Sequence, residues 1–437
     1  MSWLTGIARL SDRLFAGSGS GKMCRVTVPP SRRIAGLLAV AILMAGGCRP
    51  GEAPSSPPPL SSSAPSPSAS ATTVTKALDP VVTTPATCPE TSRRTGRFRV
   101  TPASGSWELL HVDQTPGTVM GSGTATSGST LWAWRLGPGD ARGPRHWNGR
   151  GWDEPAPVPA SGRLLALGAA SADRAWVLAG TEDGHVALLT WDGRAWHTGP
   201  PELAGQPAPV VDAQGTWLTL GSASMRWDGT AWQSVPAPFY ALSLSGTADI
   251  PWMIGTPSEG SDRRSIARWT GRAWQPVQLP TLLSPTDAEP VHGDTGRTDL
   301  RAVVRTGPEE WWVLGSFQWM EHEKTDLEDV FPSRAVAMRL RGTTWTCLVA
   351  AESKPKAFTA AAPDGENGLW AATDAGTLWH LSSTGRWTRE RLPTGEYGPA
   401  VVEDLVMRDD TGDVYALGAV GAQRELTGSH GALWRLR

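Results

Sequence analysis

Beyond residue 95, apolar and polar positions alternate with a period of two, in short runs broken by Gly, Asp, Asn or Pro. This is the pattern of half-buried strands, not of helices. One run recurs: LTWDGRAWHTGPP at 189, with HWNGRGWDEP at 146, RWDGTAWQSVP at 226 and RWTGRAWQPVQLP at 268 as variants. An Asp-Gly or Asn-Gly pair between strand formers predicts a two-residue hairpin turn, because both central residues of a type I′ turn need φ > 0. With Asp192 and Gly193 at the turn centre, Trp191 faces Arg194 and Leu189 faces Trp196, so the indoles are diagonal neighbours on one face. A two-stranded ribbon cannot cover two such rings, and the repetition implies that copies stack.

A second phrase precedes each hairpin: an aromatic residue, one or two aliphatics, then usually Gly. It reads LWAWRLG at 131, AWVLAG at 175, TWLTLG at 216, PWMIG at 251, WWVLG at 311, LWAATDAG at 369 and VYALG at 414. With a further apolar run ahead of most of these, one unit is four short strands, a to d. The hairpin's first position falls at Trp147, Trp191, Trp227, Trp269, Leu340, Leu381 and Trp434, at spacings of 44, 36, 42, 71, 41 and 53 residues. Four strands per unit at such periods predict an all-β, seven-bladed β-propeller over residues 95–437. The last unit ends at LWRLR (433–437) with no strand d. TGRFRVTP (95–102) reads as that missing strand, with Phe98 in the second Trp position, so the N-terminal strand closes the ring and removes two free edges.

The sequence holds 23 Trp against 6 Phe and 3 Tyr. A Trp fixed in every unit is what packing between blades demands, whereas a ligand site would need it in one or two places. Trp107, Trp134, Trp311, Trp319 and Trp379 fall outside the repeated slots, and of these Trp319 is expected to be the most exposed. With 40 basic and 42 acidic residues there is no electrostatic reason to expect nucleic acid.

The first 47 residues read as a leader. Arg32 and Arg33 precede the apolar run IAGLLAVAILMAGG (34–47), which is short for a membrane span and suits a signal-peptide core. Translation from Met23 would give a leader of ordinary length. MAGGC (44–48) resembles a bacterial lipobox, which implies lipidation at Cys48; an ordinary secretory signal with an incidental Cys is the alternative. Arg49 stands where Asp marks inner-membrane retention in lipoproteins of Gram-negative type, and that resemblance points to the outer membrane. GSGSGK (17–22) lacks both the first Gly and the final Ser or Thr of a phosphate loop. Residues 48–94 form a Pro/Ser/Ala-rich stretch, expected to be a disordered tether. Cys88 and Cys347 are left as an even pair in a compartment that permits disulfides; a bridge and two free thiols both remain open.

The arrangement over 95–437 resembles the Kelch/galactose-oxidase propellers and the Asp-box propellers of the sialidase type. The resemblance lies in pattern: Asp192 to Trp196 is one residue short of an Asp-box, and the double glycine of Kelch repeats is missing. It implies the architecture and no catalytic residue.

The 71-residue spacing marks two insertions. TLLSPTDAEPVHGDTGRTD (281–299) joins strand d of blade 4 to strand a of blade 5, and FQWMEHEKTDLEDVFPS (317–333) joins strands b and c of blade 5. In an up-and-down sheet both connections rise from the same rim, and long loops on a rigid scaffold are where binding is built. The candidate binding residues are His292, Asp294, Trp319, Glu321, His322, Glu323, Asp326, Glu328 and Asp329. The acidic cluster could hold a hard cation or simply be solvated, and its spacing matches no calcium loop. Residues 321–330 could also form a short amphipathic helix with Met320, Leu327 and Val330 on one side. H-E-x-x-H, G-x-S-x-G and C-x-x-C are all missing, and no cofactor is implied.

The reading that follows is a monomeric, exported lipoprotein, held to the membrane by its N-terminal lipid. Its propeller binds an envelope protein or glycan, without chemistry, through the blade 4–5 rim. The alternative is an envelope carbohydrate-active hydrolase or lyase working in the propeller funnel.

Overall fold

A computed structural model describes Cys88 and residues 100–436 except 105–106, 127–129, 139–142, 157, 159–163, 181–185, 199–209, 212–216, 221–222, 229, 247–249, 259–263, 284–295, 323–328, 351–354, 409–410 and 422–427. The leader, Cys48 and nearly all of the expected tether therefore lie outside the described residues. The folded part is all-β and forms a seven-bladed propeller.

Blade 1 comprises Val119–Ala125, Leu131–Leu136, Gly143–Trp147 and Trp152–Asp153. Blade 2 comprises Leu164–Ser171, Arg174–Gly180, Val186–Trp191 and Trp196–Thr198. Blade 3 comprises Val210–Val211, Trp217–Leu220, Ala223–Trp227 and Trp232–Pro236. Blade 4 comprises Tyr240–Gly246, Pro251–Thr256, Ser265–Trp269 and Trp274–Val277. Blade 5 comprises Arg297–Gly307, Glu310–Gln318, Ser333–Arg341 and Thr344–Val349. Blade 6 comprises Phe358–Pro363, Leu369–Thr373, Leu378–Leu381 and Trp387–Arg391. Blade 7 takes Ala400–Met407, Val414–Gly421 and Ser429–Leu436 from the C-terminus and Trp107–Val112 from the N-terminus. The first strand of each blade touches those of both neighbours, so the seven form a closed inner ring.

The ring closes as expected in kind but not in register. The closing strand is Trp107–Val112, antiparallel to the last strand with Trp107 opposite Leu436. Phe98 lies outside the described residues, and Val100–Ser104 instead runs parallel to Trp387–Arg391 as a fifth strand of blade 6. The reason is visible in the hairpins. Trp147, Trp191, Trp227 and Trp269 sit directly opposite Trp152, Trp196, Trp232 and Trp274. Leu340 and Leu381 face Trp345 and Trp387. The position filled by Trp in all seven blades is thus the start of strand d, and Trp107, not Phe98, fills it in blade 7. Trp434 is not the seventh hairpin position; Leu436 is.

Direct opposition also corrects the turn. The connection from Trp191 to Trp196 has four residues, and among them only Gly193 takes a left-handed φ, +92°. Asp192 acts as a cap: its Oδ1 accepts the Arg194 and Ala195 amides at 2.9 and 2.8 Å. Asn148 and Asp228 hold their loops in the same way. The Ala195 and Arg194 amides, with His197 Nε2 2.7 Å from Oδ2, hold the Asp192 carboxyl down at about 2.

The indoles form the seams between blades. Trp132 of blade 1 lies 6.0 Å from both Trp191 and Trp196 of blade 2. Trp217 of blade 3 meets Trp269 and Trp274 of blade 4 at 4.7 and 4.9 Å, and Trp370 of blade 6 meets Trp107 of blade 7 at 5.2 Å. Indole N–H groups reach the preceding blade: Trp196 donates to the Ala156 carbonyl and Trp345 to that of Gln278, each at 2.9 Å. At the seam between blades 7 and 1, buried Asp404 accepts the amides of Gly123 and Leu405, each at 2.9 Å. Burial pushes its carboxyl above the ordinary range. Cys88 and Cys347 are joined as a disulfide, Cα–Cα 5.4 Å, across a sequence separation of 259 residues.

Candidate functional site

The strand register places both insertions at one edge of blade 5. Arg297, where strand a begins, pairs with Gln318, where strand b ends, and Gln318 pairs with Ser333, where strand c begins. The second insertion continues the sheet as a small hairpin, Glu321–His322 against Asp329–Val330, not as a helix. Period-two pairing outcompetes the helical pattern because both arms prolong strands already in register. Trp319 is not exposed: it is 3 % accessible, packed against Phe317 at 5.7 Å, with the Arg334 guanidinium 5.6 Å over its ring. Its amide donates to the Pro332 carbonyl at 3.2 Å, which pins the base of the hairpin. His292, Asp294, Glu323, Asp326 and Glu328 lie outside the described residues, and for Glu321, His322 and Asp329 only the backbone is described. On the same edge Asp299 draws Arg264 of blade 4 to 3.1 Å and pairs with Arg301.

A repeated device shapes the inner ring. In the six blades whose strand a is described over more than two residues, it carries a bulge at one equivalent place, between Met120 and Gly123, 164 and 166, 241 and 243, 300 and 302, 358 and 360, and 402 and 404. Bulges re-aim side chains at barrel rims and active sites. The extra residues here include Leu165, Leu242, Arg301, Thr359 and Glu403. Among them Arg301 on blade 5 is a cation and Glu403 on blade 7 a carboxylate.

The third feature was not anticipated from the sequence. Between blades 2 and 3, at the edge formed by the a–b and c–d turns, lies a cleft of about 1140 Å³. Trp176 forms its buried floor, and half-buried Trp191, Trp227 and Trp232 line it with Asp173 and Arg174. It lies at the opposite strand ends from the blade 5 insertions.

At this place the repeat differs by one residue. In each blade the aromatic residue of strand b pairs with a residue of strand c. In six blades that residue is an arginine or a histidine: His146 on Trp132, Arg226 on Trp217, Arg268 on Trp252, Arg339 on Trp312, His380 on Trp370 and Arg435 on Tyr415. His380 stacks on Trp370 at 4.1 Å, and the guanidinium groups of Arg226 and Arg339 lie 5.9 Å over their rings. Blade 2 has Thr190 opposite Trp176. The short side chain of Thr190 lines the cleft beside Trp176, which is itself buried. Among the described residues, no ring contact joins Trp176 to Trp227 or Trp232, although those two rings meet each other at 5.5 Å. The signal was legible as TW at 190, where the other strands c read HW, RW, RL or HL, and as the shortest spacing, 36 residues.

No protein-family model and no curated protein sequence matches the chain. Among solved structures it is similar to YCF48 bound to D1 peptide, at 14 % identity over 77 % of this chain and 99 % of that one, TM-score 0.48. YCF48 from Cyanidioschyzon merolae is 15 % identical over 76 % and 99 %, TM-score 0.45. The GH93 α-L-arabinofuranosidase of Fusarium graminearum in complex with arabinobiose is 10 % identical over 76 % and 98 %, TM-score 0.43. Such likeness speaks only to fold, and the propeller itself rests on the strand pairing above.

Proposed function

We propose that the chain is an exported lipoprotein whose propeller is a binding platform. Cys48 carries the lipid, the stretch from there to the disulfide-bonded Cys88 forms the leash, and an envelope protein or glycan is captured at the blade 4–5 rim without chemical change. The outer membrane is its place. The observation that carries this reading is the register Arg297–Gln318–Ser333, which starts both long insertions from one edge of a rigid sheet. A leash adds to this by confining the search to a small volume, which raises effective concentration at the membrane.

Two experiments test the two halves. Cys48→Ser is expected to abolish metabolic labelling with palmitate and to release the protein from membranes; unchanged labelling overturns the anchor. Replacing 321–330 by a two-residue turn spares buried Trp319 and the Pro332 contact, so the melting temperature should hold. Cross-linked partners recovered from envelopes should be lost with the hairpin, and an unchanged set would contradict the rim.

A further inference from the structure

We propose that the cleft between blades 2 and 3 is a second binding site, for an uncharged oligosaccharide. The inference is independent of the lipid anchor and of the blade 5 rim, because the cleft opens at the opposite strand ends.

Three observations meet there. The seams between blades 1 and 2, 3 and 4, and 6 and 7 are closed by a strand-b indole in ring contact with Trp side chains of the next blade. Between blades 2 and 3 the seam is filled by Trp176, Leu178, Leu188 and Leu218 with Met225 and Trp232 packed against them, and among the described residues no ring contact joins Trp176 to a Trp of blade 3. Next, three of the four half-buried Trp side chains among the described residues, Trp191, Trp227 and Trp232, face the opening, while Trp217, Trp252, Trp274 and Trp434 are fully buried. Indoles left at a solvent boundary keep an apolar face available to a ligand. Finally, the wall between the rings is polar and of both signs. Ser171, Thr190 and Thr230 carry hydroxyls, Asp173 and Asp192 accept, and Arg174 donates. The Asp192 carboxylate is fixed in place by its own turn and by His197, so it is preorganised.

Flat apolar walls edged by hydroxyls and carboxylates suit a ligand that presents C–H faces and many hydroxyl groups. Sugar hydroxyls both donate and accept, and so can satisfy Asp173 and Asp192 together with Arg174. A peptide backbone brings one N–H and one C=O per residue, whereas each sugar ring brings several hydroxyl groups that both donate and accept. The volume lies at the upper end of ordinary small-ligand sites and suits a chain of sugars better than a single ring.

The test is calorimetric titration of the full-length protein with cellohexaose, mannohexaose, maltohexaose and N-acetylchitohexaose. One of the four should bind saturably. Thr190→Arg introduces the arginine that four other blades place opposite the strand-b aromatic, so it should fill the cleft, hold or raise the melting temperature, and abolish the heat. Trp232→Ala should weaken binding by roughly tenfold or more, as for a central aromatic anchor. A deletion of 321–330 should leave it unchanged, which separates this site from the rim. Silence with all four sugars, binding that survives Thr190→Arg, or saturable binding of a proline-rich decapeptide in place of the sugars overturns the assignment.

Discussion

Gly418→Ala is expected to destabilise the propeller by roughly 3 kcal/mol or more, because overpacking against backbone cannot be relieved by a rotamer change. A Cβ at Gly418 would overlap the Val401 carbonyl oxygen, and one at Gly255 or Gly315 would overlap the carbonyls of Tyr240 or Asp299. All three glycines stand opposite the bulge of strand a in their own blades. The extra residue of the bulge pushes the inner strand toward strand b, and only a residue with no side chain admits it. The melting temperature should fall by roughly 5 °C or more. Gly151→Ala, with nothing within 4 Å of its new methyl group, is the control and should move stability by no more than about 0.5 kcal/mol. Equal melting curves for the two variants would remove the bulge as the reason for the glycine.

The second large effect belongs to the N-terminal strand. Trp107 is 5 % accessible, sits edge-on to Trp370 and pairs with Leu436, so it belongs to blades 6 and 7 at once. Trp107→Ala is expected to cost about 3–5 kcal/mol, the range for truncating a buried Trp. Phe331→Ala, at a ring 55 % exposed, should be close to neutral. Scanning calorimetry separates the two. A Trp107→Ala protein as stable as the parent would mean that this strand contributes no closure.

These two residues show where sequence reading succeeds and where it stops. The repeated phrases specify four strands per unit, seven units and a borrowed closing strand, because side-chain alternation and unit spacing follow from local chemistry. Register does not follow. Asp192-Gly193 invites a two-residue turn, yet the Asp carboxylate prefers to cap two amides of a wider loop, and a loop two residues longer makes opposite partners of diagonal ones. The same slip assigned the final slot to Trp434 and its partner to Phe98, ahead of Leu436 and Trp107. Gly255, Gly315 and Gly418, which close three of the strand-b phrases, were visible, but their reason needs a bulge on another strand.

The functional region was legible unequally. The blade 5 insertions announce themselves by length. Trp319 within them is buried because it caps the core beneath the rim, a role that composition does not reveal. The cleft coincides with one threonine in a column of arginines and histidines, and that column aligns only once strands b and c are correctly paired. Thr190 thus became informative through the structure.

The central claim is that the first strand after Ser104 completes the last blade, and disulfide trapping tests it most directly. Glu108 and Arg435 are paired residues, their side chains 3.2 Å apart, at a separation of 327 in sequence. With Glu108→Cys and Arg435→Cys in one chain, mild oxidation should give an intramolecular bridge in the folded monomer, identified by peptide mapping. No such bridge, or a cysteine at 98 that bridges to 435 in place of the one at 108, would contradict the closure described here.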